Sequence, residues 1–578
     1  MAYVRTCFLF FQITFDIPTI SSYIYLGKIP LIQTETKTIT FKLLAAGILF
    51  CLSMSAGPHG LSQDSFADVR ERERPVQGGI YRRPLEFMPR TLDPARTTDI
   101  YSVTVVQQLF DGLVQFDQDL NVIPAIAKSW KITPDGLTYT FFLREGVRFH
   151  NGREVTADDC IYSFTRIIDP KNKSIATNLL GKVAGFSEFQ EGKINYVKGL
   201  RSVGKHILEI KLSEPFYPFI AALGTIHFKI VPKEEIEKPG SDFSKNPIGA
   251  GPFRFASMKE REEIILEANR DYFDGRPFLD KIVFKIFHGA PRETILKEFK
   301  EGTLDESFLP PEEIGEIAKA RKYLFLRKPL LSLRFYGLNS RTKPLDSREV
   351  RKAINLAIDK RMIISEVHKN QFNLAKGILP PGMPGYDPKK DTYPYDETLA
   401  KKSLVQAGYG KEKAIPSLEI WSASKSEAAQ RELNEIKSQL AKIGIESNIH
   451  YETNWPNFES MLRDGKAPMF IYAWYADFPD PDNFLGMLFH SKSKNNYTAY
   501  HNPEVDRLLD KATKERDYLK RMEMYRKIEE VVLDDAPIVP MINHFFQMVY
   551  QPYVKGIEMN ALGGPYIPMK KIWLKKQE

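Results

Sequence analysis

The sequence predicts an α/β fold, and three observations carry that expectation. First, helix-period segments at 291–301, 347–359, 396–407, 426–443, 455–463, 502–512 and 519–534 alternate with strand-like runs. Those runs fall at 331–338, 417–422, 447–451, 468–474 and 538–541. Alternation of this kind builds α/β units. Second, antiparallel excursions interrupt the pattern. Runs at 129–133 and 137–143 flank Pro134-Asp135-Gly136, a turn sequence that folds a hairpin. Third, the chain has 578 residues. Single cores stop growing beyond roughly 250–300 residues, so more than one folding unit is expected.

The remaining elements follow in order. From Gly78 the chain is strand-like, and a helix is expected over 101–113. Thr156 is a plausible N-cap, with Asp158 and Asp159 in the first turn and apolar residues at helical spacing through 160–168. Residues 207–212 alternate as a half-buried strand does. Pro247-Ile248-Gly249-Ala250-Gly251-Pro252-Phe253 is a turn leading into a strand, with further strands at 263–267 and 281–287. No internal repeat is present.

The formal net charge is +8, mild for this length, and acids and bases interleave, as in Lys259-Glu260-Arg261-Glu262-Glu263. A nucleic-acid binder would concentrate its charge, so no nucleic-acid partner is expected. Of the three cysteines, Cys7 and Cys51 lie in a region expected to be removed, which leaves Cys160 with no internal partner. Lys42 precedes the apolar run 43–56, with small residues at its end, the pattern of a signal peptide over 42–56. Residues 1–41 ahead of it read as an extension or an upstream start, and 57–75 as a linker.

Catalytic and metal signatures are missing from the sequence. No histidine pair has metal-ligand spacing, and neither CxxC, a P-loop nor GxGxxG occurs. Ser422-Ala423-Ser424-Lys425 matches S-x-x-K, a short pattern that arises by chance. No cofactor, metal or enzymatic activity is expected.

Five stretches, in order, resemble the family 5 extracellular solute-binding proteins, the periplasmic dipeptide-, oligopeptide- and nickel-binding components of ABC transporters. They are Ala125 to Trp130 with Asp135 to Gly152 and Thr156-Ala157-Asp158-Asp159; Pro247 to Phe253 with Leu266 to Phe273; Pro344 to Asn355 with Ala357-Ile358-Asp359-Lys360; Tyr395 to Tyr409; and Trp474-Tyr475-Ala476-Asp477-Phe478-Pro479-Asp480-Pro481-Asp482-Asn483-Phe484-Leu485. The resemblance implies a two-lobed, periplasmic-binding-protein-like α/β fold with an extra subdomain at 113–204 in the first lobe. The first lobe would hold 76–288 and 542–578, and the second 289–541. The chain would cross near Phe287-His288-Gly289 and Val539-Pro540-Met541. It also implies a secreted, periplasmic or cell-surface monomer. Such a protein closes on a short peptide and docks on an inner-membrane ABC permease. A nickel complex, haem or an oligosaccharide remains as an alternative solute, and a secreted hydrolase is the more distant reading.

Asp477 is similar in position to the family aspartate that pairs with a peptide's free amino group. A buried ammonium needs such a partner, although an aspartate before Phe478-Pro479 also serves as a turn cap. Trp455 and Trp474 are candidate pocket walls. Tyr101, Trp421, Asn543 and His544 are further ligand-contact candidates, each with a packing or hydrogen-bonding role as its plainer reading. Leu462 and Ile471 stand where oligopeptide binders carry arginines, and Arg463 would face elsewhere. Arg334 or Lys360 is then left to meet a shorter peptide's carboxylate.

Overall fold

The structure is a computed structural model and describes residues 74–576 apart from 239 and 241. The expected extension and signal peptide, and all of the linker before Arg74, lie outside the described residues.

In the first lobe, strand Ile80–Leu85 runs parallel to Lys281–Ile286, with Ile80 opposite Lys281. Antiparallel strands Glu263–Ala268 and Phe253–Lys259 complete a four-stranded sheet. Alternation turns Ile264, Leu266, Ile282 and Phe284 to one face, where they meet Val105, Val106 and Leu109 of helix Ile100–Leu109. Asp99 caps that helix by accepting from the N–H groups of Tyr101 and Ser102. Ile567, Met569 and Ile572 join the same core, so the C-terminal segment returns to this lobe.

The extra subdomain is a four-stranded antiparallel sheet built on the expected hairpin. Ala127–Ile132 and Thr138–Leu143 pair across a turn in which Gly136 has φ of 72° and donates its N–H to Thr133 O at 2.9 Å. Helix Ala157–Ile168 begins with the capping box of Thr156 and Asp159. It lays Cys160, Phe164 and Ile167 on Tyr139, Phe141 and Leu208.

The second lobe is a six-stranded mixed sheet in the order Asn373–Leu374, Ile538–Asn543, Ser332–Leu338, Met469–Tyr475, Leu418–Ser422, Ser447–Tyr451. Both faces are covered. Leu333, Phe335 and Phe470 enter one core, while Tyr336, Leu338 and Met469 enter another with helices Arg348–Ala357 and Glu427–Lys442.

Strand pairing moves the crossings from their expected places. Helix Arg292–Lys300 and strands Glu306–Ser307 and Leu324–Pro329 stay with the first lobe. Both strands pair with Phe545–Tyr550, and Ile295 and Phe299 share a core with Val549. The change of sheet falls at Leu330–Leu331 and at His544, not at 287–289 and 539–541. Gly289 does make a turn, with φ of 74°, but its N–H bonds Glu86 O at 2.6 Å and folds the chain back onto the first lobe. Pro540 sits inside strand Ile538–Asn543, beside a register shift that accommodates its missing donor.

The Pro247–Phe253 turn presses against the end of helix Ile100–Leu109. A Cβ at Gly249 would lie 2.0 Å from Leu109 O and 2.7 Å from the Phe110 ring. Gly249→Ala is therefore expected to destabilise the protein by about 1–3 kcal/mol, read as a lower Tm by differential scanning calorimetry. An unchanged Tm would show that this contact relaxes freely.

Candidate ligand-binding cleft

Strand Met469–Tyr475 is paired on one side along its whole length, from Leu338 opposite Met469 to Ser332 opposite Tyr475. On its other side Leu418–Ser422 accompanies it only at Met469 and Phe470. The chain then leaves Ser422 for helix Glu427–Lys442, and the edge from Ile471 onward is left open. The notch so formed is a cavity of about 550 Å³, lined by Ile471, Ala473, Tyr475, Trp455, Arg334 and His544 among others. That volume suits a small ligand. Trp455 and Tyr475 are 48% and 50% exposed and present their rings to the cavity.

A charged cluster forms the cavity floor. Glu432, on the inner face of helix Glu427–Lys442, is fully buried. Arg334 Nη2 donates to both of its oxygens, at 2.9 and 2.8 Å. Tyr336 Oη donates to Oε1 at 2.7 Å, and His368 Nε2 lies 2.6 Å from Oε2. Burial alone would raise this carboxyl, but Arg334 and His368 outweigh it and hold it at about 2. His544 is driven down to about 4, by burial first and then by Arg334 and His368, so it is neutral at pH 7.

Asp477 stands just past the strand end. Asn483 fixes the turn: its Oδ1 accepts from Asp477 N (3.0 Å) and Trp474 Nε1 (3.2 Å), and its Nδ2 donates to Asp477 Oδ2 at 3.2 Å. Among the described residues no protein group donates to the other carboxylate oxygen, Oδ1. Asp477 is exposed at the surface, yet enough protein surrounds it that desolvation raises its carboxyl, against the pull of Asn483 and His227. Exposure with dense surroundings is the signature of a concave wall. Its charge acts on His227 and Tyr566 of the first lobe and on Tyr472 of the second. The first lobe touches the second nearby: Ala221 and Ala222 pack on Phe478, and Tyr217 N donates to Thr513 O at 2.9 Å.

Of the expected residues, Trp455 and His544 line the cavity, Trp455 stacked on Tyr472 with centroids 6.0 Å apart. Trp474 is drawn to Asn483 and packs against the lobe core. Asn543 is buried and donates to Ser332 O at 2.7 Å, so it braces the crossing. Trp421 lies off the cavity, stacked on His450 at 4.7 Å. Tyr101 is on the first lobe, donating to Glu86 at 3.3 Å beside Phe87, with its hydroxyl raised to about 12 by burial and then Glu86. Lys360 is buried elsewhere, near Thr392 O, and burial lowers it to about 8. Leu462 is buried in the core and Arg463 pairs with Glu459, whereas Ile471 lines the cavity. The S-x-x-K serine donates to Ser424 O, and Lys425 lies over Tyr451.

Sequence reasoning missed Glu432 and His368. Glu432 had a readable signal, an acid among Ala429, Leu433, Ile436 and Leu440 on the apolar face of its helix. His368 had none.

Two lobes joined by paired crossings, with an aromatic and charged cavity on the second, are the architecture of a solute-binding protein. The sequence profile of the bacterial extracellular solute-binding proteins, family 5, matches residues 121–496, and the chain belongs to that family. "Heme-binding protein A" of Haemophilus influenzae is 31% identical over 507 residues, covering 83% of this chain and 89% of its own. The "Dipeptide-binding protein" of Escherichia coli is 31% identical over 506 residues, covering 83% and 91%. Among solved structures, HbpA2 from Haemophilus parasuis aligns with TM-score 0.75 at 27% identity, covering 86% of this chain and 100% of that one. DppA from Helicobacter pylori, in complex with the peptide STSA, aligns with TM-score 0.70 at 28% identity, covering 87% and 99%.

Removing Glu432 would leave Arg334 buried without its counter-ion. Glu432→Ala is expected to cost roughly 3–5 kcal/mol in urea unfolding. Glu419→Ala, at the more exposed pair with His450, should cost less than about 1 kcal/mol. Equal losses would deny the cluster its central place.

Proposed function

We propose that this protein is the periplasmic solute-binding component of an ABC importer, and that it captures short peptides between its lobes. The open edge of Met469–Tyr475 beside Asp477 carries this reading. An extended peptide adds to such an edge as a further strand, so main-chain hydrogen bonds supply affinity without reading side chains. Asp477 pairs with the amino terminus through its unengaged oxygen, and the exposed faces of Trp455 and Tyr475 receive varied side chains. Closure of the first lobe excludes water and strengthens the ion pair. The closed form then docks, as a secreted monomer, on a membrane permease. It acts by binding and not by turnover. Relatives named for dipeptide and oligopeptide binding support the reading.

Haem is the second reading, favoured by one feature. The neutral His544 imidazole faces the cavity between Tyr475 and Phe372, where a metal-bearing ring would find a nitrogen donor. A Soret shift on titration with haemin, lost in His544→Ala, would favour it over peptides.

By isothermal titration calorimetry, Asp477→Ala is expected to weaken a peptide with a free amino terminus by at least about tenfold, and an N-acetylated peptide little. An unchanged Kd for the free peptide removes Asp477 from the site. The raised Asp477 pKa fixes the sign of the pH effect. As pH falls, the carboxylate protonates above the ordinary aspartate range. Peptide affinity of the wild type therefore declines on acidification from that higher pH, and Asp477→Ala lacks this limb.

A further inference from the structure

We infer that the lobes turn about a seam running from the paired crossings, past Leu120 and Ala561, to Phe478 and Thr513, and that this seam stays in contact while the cleft opens and closes. The inference rests on the closing motion proposed above and not on the identity of the solute.

Three observations converge. The first is that main-chain bonds pin the lobes together at two places on different elements. At the crossing, Leu331 N donates to Ala561 O at 2.8 Å. Beyond the end of helix Pro503–Ala512, Thr513 O of the second lobe accepts from Tyr217 N of the first at 2.9 Å. Two bodies held at two points keep one easy motion, rotation about the line that joins the points.

The second is the chemistry between the pins. Leu120 and Ala561 of the first lobe share a core with Leu331 and Leu333. Phe116 packs against that core and also against the cluster of Ala221, Ala222 and Phe478. Ala476 N donates to Leu331 O at 2.8 Å, so the chain reaches Phe478 directly from the crossing. Leu120, Ala222, Phe478 and Ala561 are all buried. Parting the seam would return their apolar surface to water, whereas apolar contact has no fixed direction and survives a rotation.

The third is the modest weight of the charges at the far end. Glu214 accepts from Lys182 of its own lobe and from Lys514 Nζ of the second at 2.7 Å. The Lys514 and Glu214 side chains are 44% and 35% exposed, and pairs so open to water contribute little. They steer the contact without locking it.

Displacement in a rotation grows with distance from the axis. Asp477 adjoins Phe478 on the seam, so it keeps its first-lobe surroundings, His227 and Tyr566, throughout closure. The candidate acid is therefore in place before the lobes close.

The test is to fasten the far end of the seam. Tyr217→Cys/Thr513→Cys is made in a chain carrying Cys7→Ser and Cys51→Ser, with the buried Cys160 left as it is. The main-chain bond brings the two backbones close to the separation that a disulfide spans. Glu214→Cys/Lys514→Cys, joined by a short bismaleimide, is the second variant and does not need disulfide geometry. Each variant is compared bridged and unbridged, with melting curves checked, by calorimetry and by small-angle X-ray scattering. The probes are a panel of di- and tripeptides with free termini, and haemin. Bridged protein is expected to bind within about twofold of unbridged protein, and its radius of gyration is expected to contract equally on binding. Bridged protein that binds at least about tenfold more weakly, or that fails to contract where unbridged protein does, shows that the contact parts on closure and overturns the inference while leaving the closing motion intact. Unbridged protein that contracts with none of the probes overturns the closing motion and this inference with it.

Discussion

Two adjacent antiparallel strand pairs run on from one lobe into the other, and the rest of the molecule is arranged around that continuity. Leu324–Pro329 lies beside Phe545–Tyr550 in the first lobe, and Ser332–Leu338 beside Ile538–Asn543 in the second. Between them Leu330 N donates to His544 O at 2.8 Å, His544 N to Ser332 Oγ at 2.9 Å, and Asn543 Nδ2 to Ser332 O at 2.7 Å. The crossing is short and tied across its width, so relative motion of the lobes must be absorbed by a few residues. His544 belongs both to this crossing and to the cavity wall. The crossing and the cavity wall are therefore one piece of structure.

The two acids of the cleft show how donor supply sets charge. Glu432 and Asp477 are both closely surrounded by protein, and burial pushes both carboxyls upward. Glu432 nevertheless ends far below the usual range, because a guanidinium, an imidazole and a phenol converge on it. Asp477 ends above its usual range, because its side chain accepts only from the Asn483 amide. One acid is satisfied inside the fold, and the other is left short of a partner. A buried ion pair is poor evidence for stability. Here Glu432 orients a cation while leaving part of it unengaged.

Much of the fold was legible from local pattern. The hairpin around Pro134-Asp135-Gly136, the capping box at Thr156, and the alternating elements of the second lobe depend on spacing and turn chemistry within a few residues. The crossings were misplaced because local signals mark a turn, not where it leads. Gly289 turns as its sequence suggests, yet the following helix and strands return to the first lobe because Phe545–Tyr550, more than 200 residues later, supplies their pairing partner.

The sequence by itself determined the α/β class and the family-like segments, and it marked Asp477, Trp455 and His544 among several ligand-contact candidates. These follow from short-range periodicity and from contiguous stretches such as Trp474-Tyr475-Ala476-Asp477. Tertiary structure decided which of the marked residues share a surface. It sent Asn543 to brace the crossing and Trp421 to His450, and it brought Arg334, His368 and Glu432 into one cluster. Arg334 and Glu432 are 98 residues apart on a strand and a helix. Their meeting depends on how sheet and helix pack, and no local spacing in the chain encodes that.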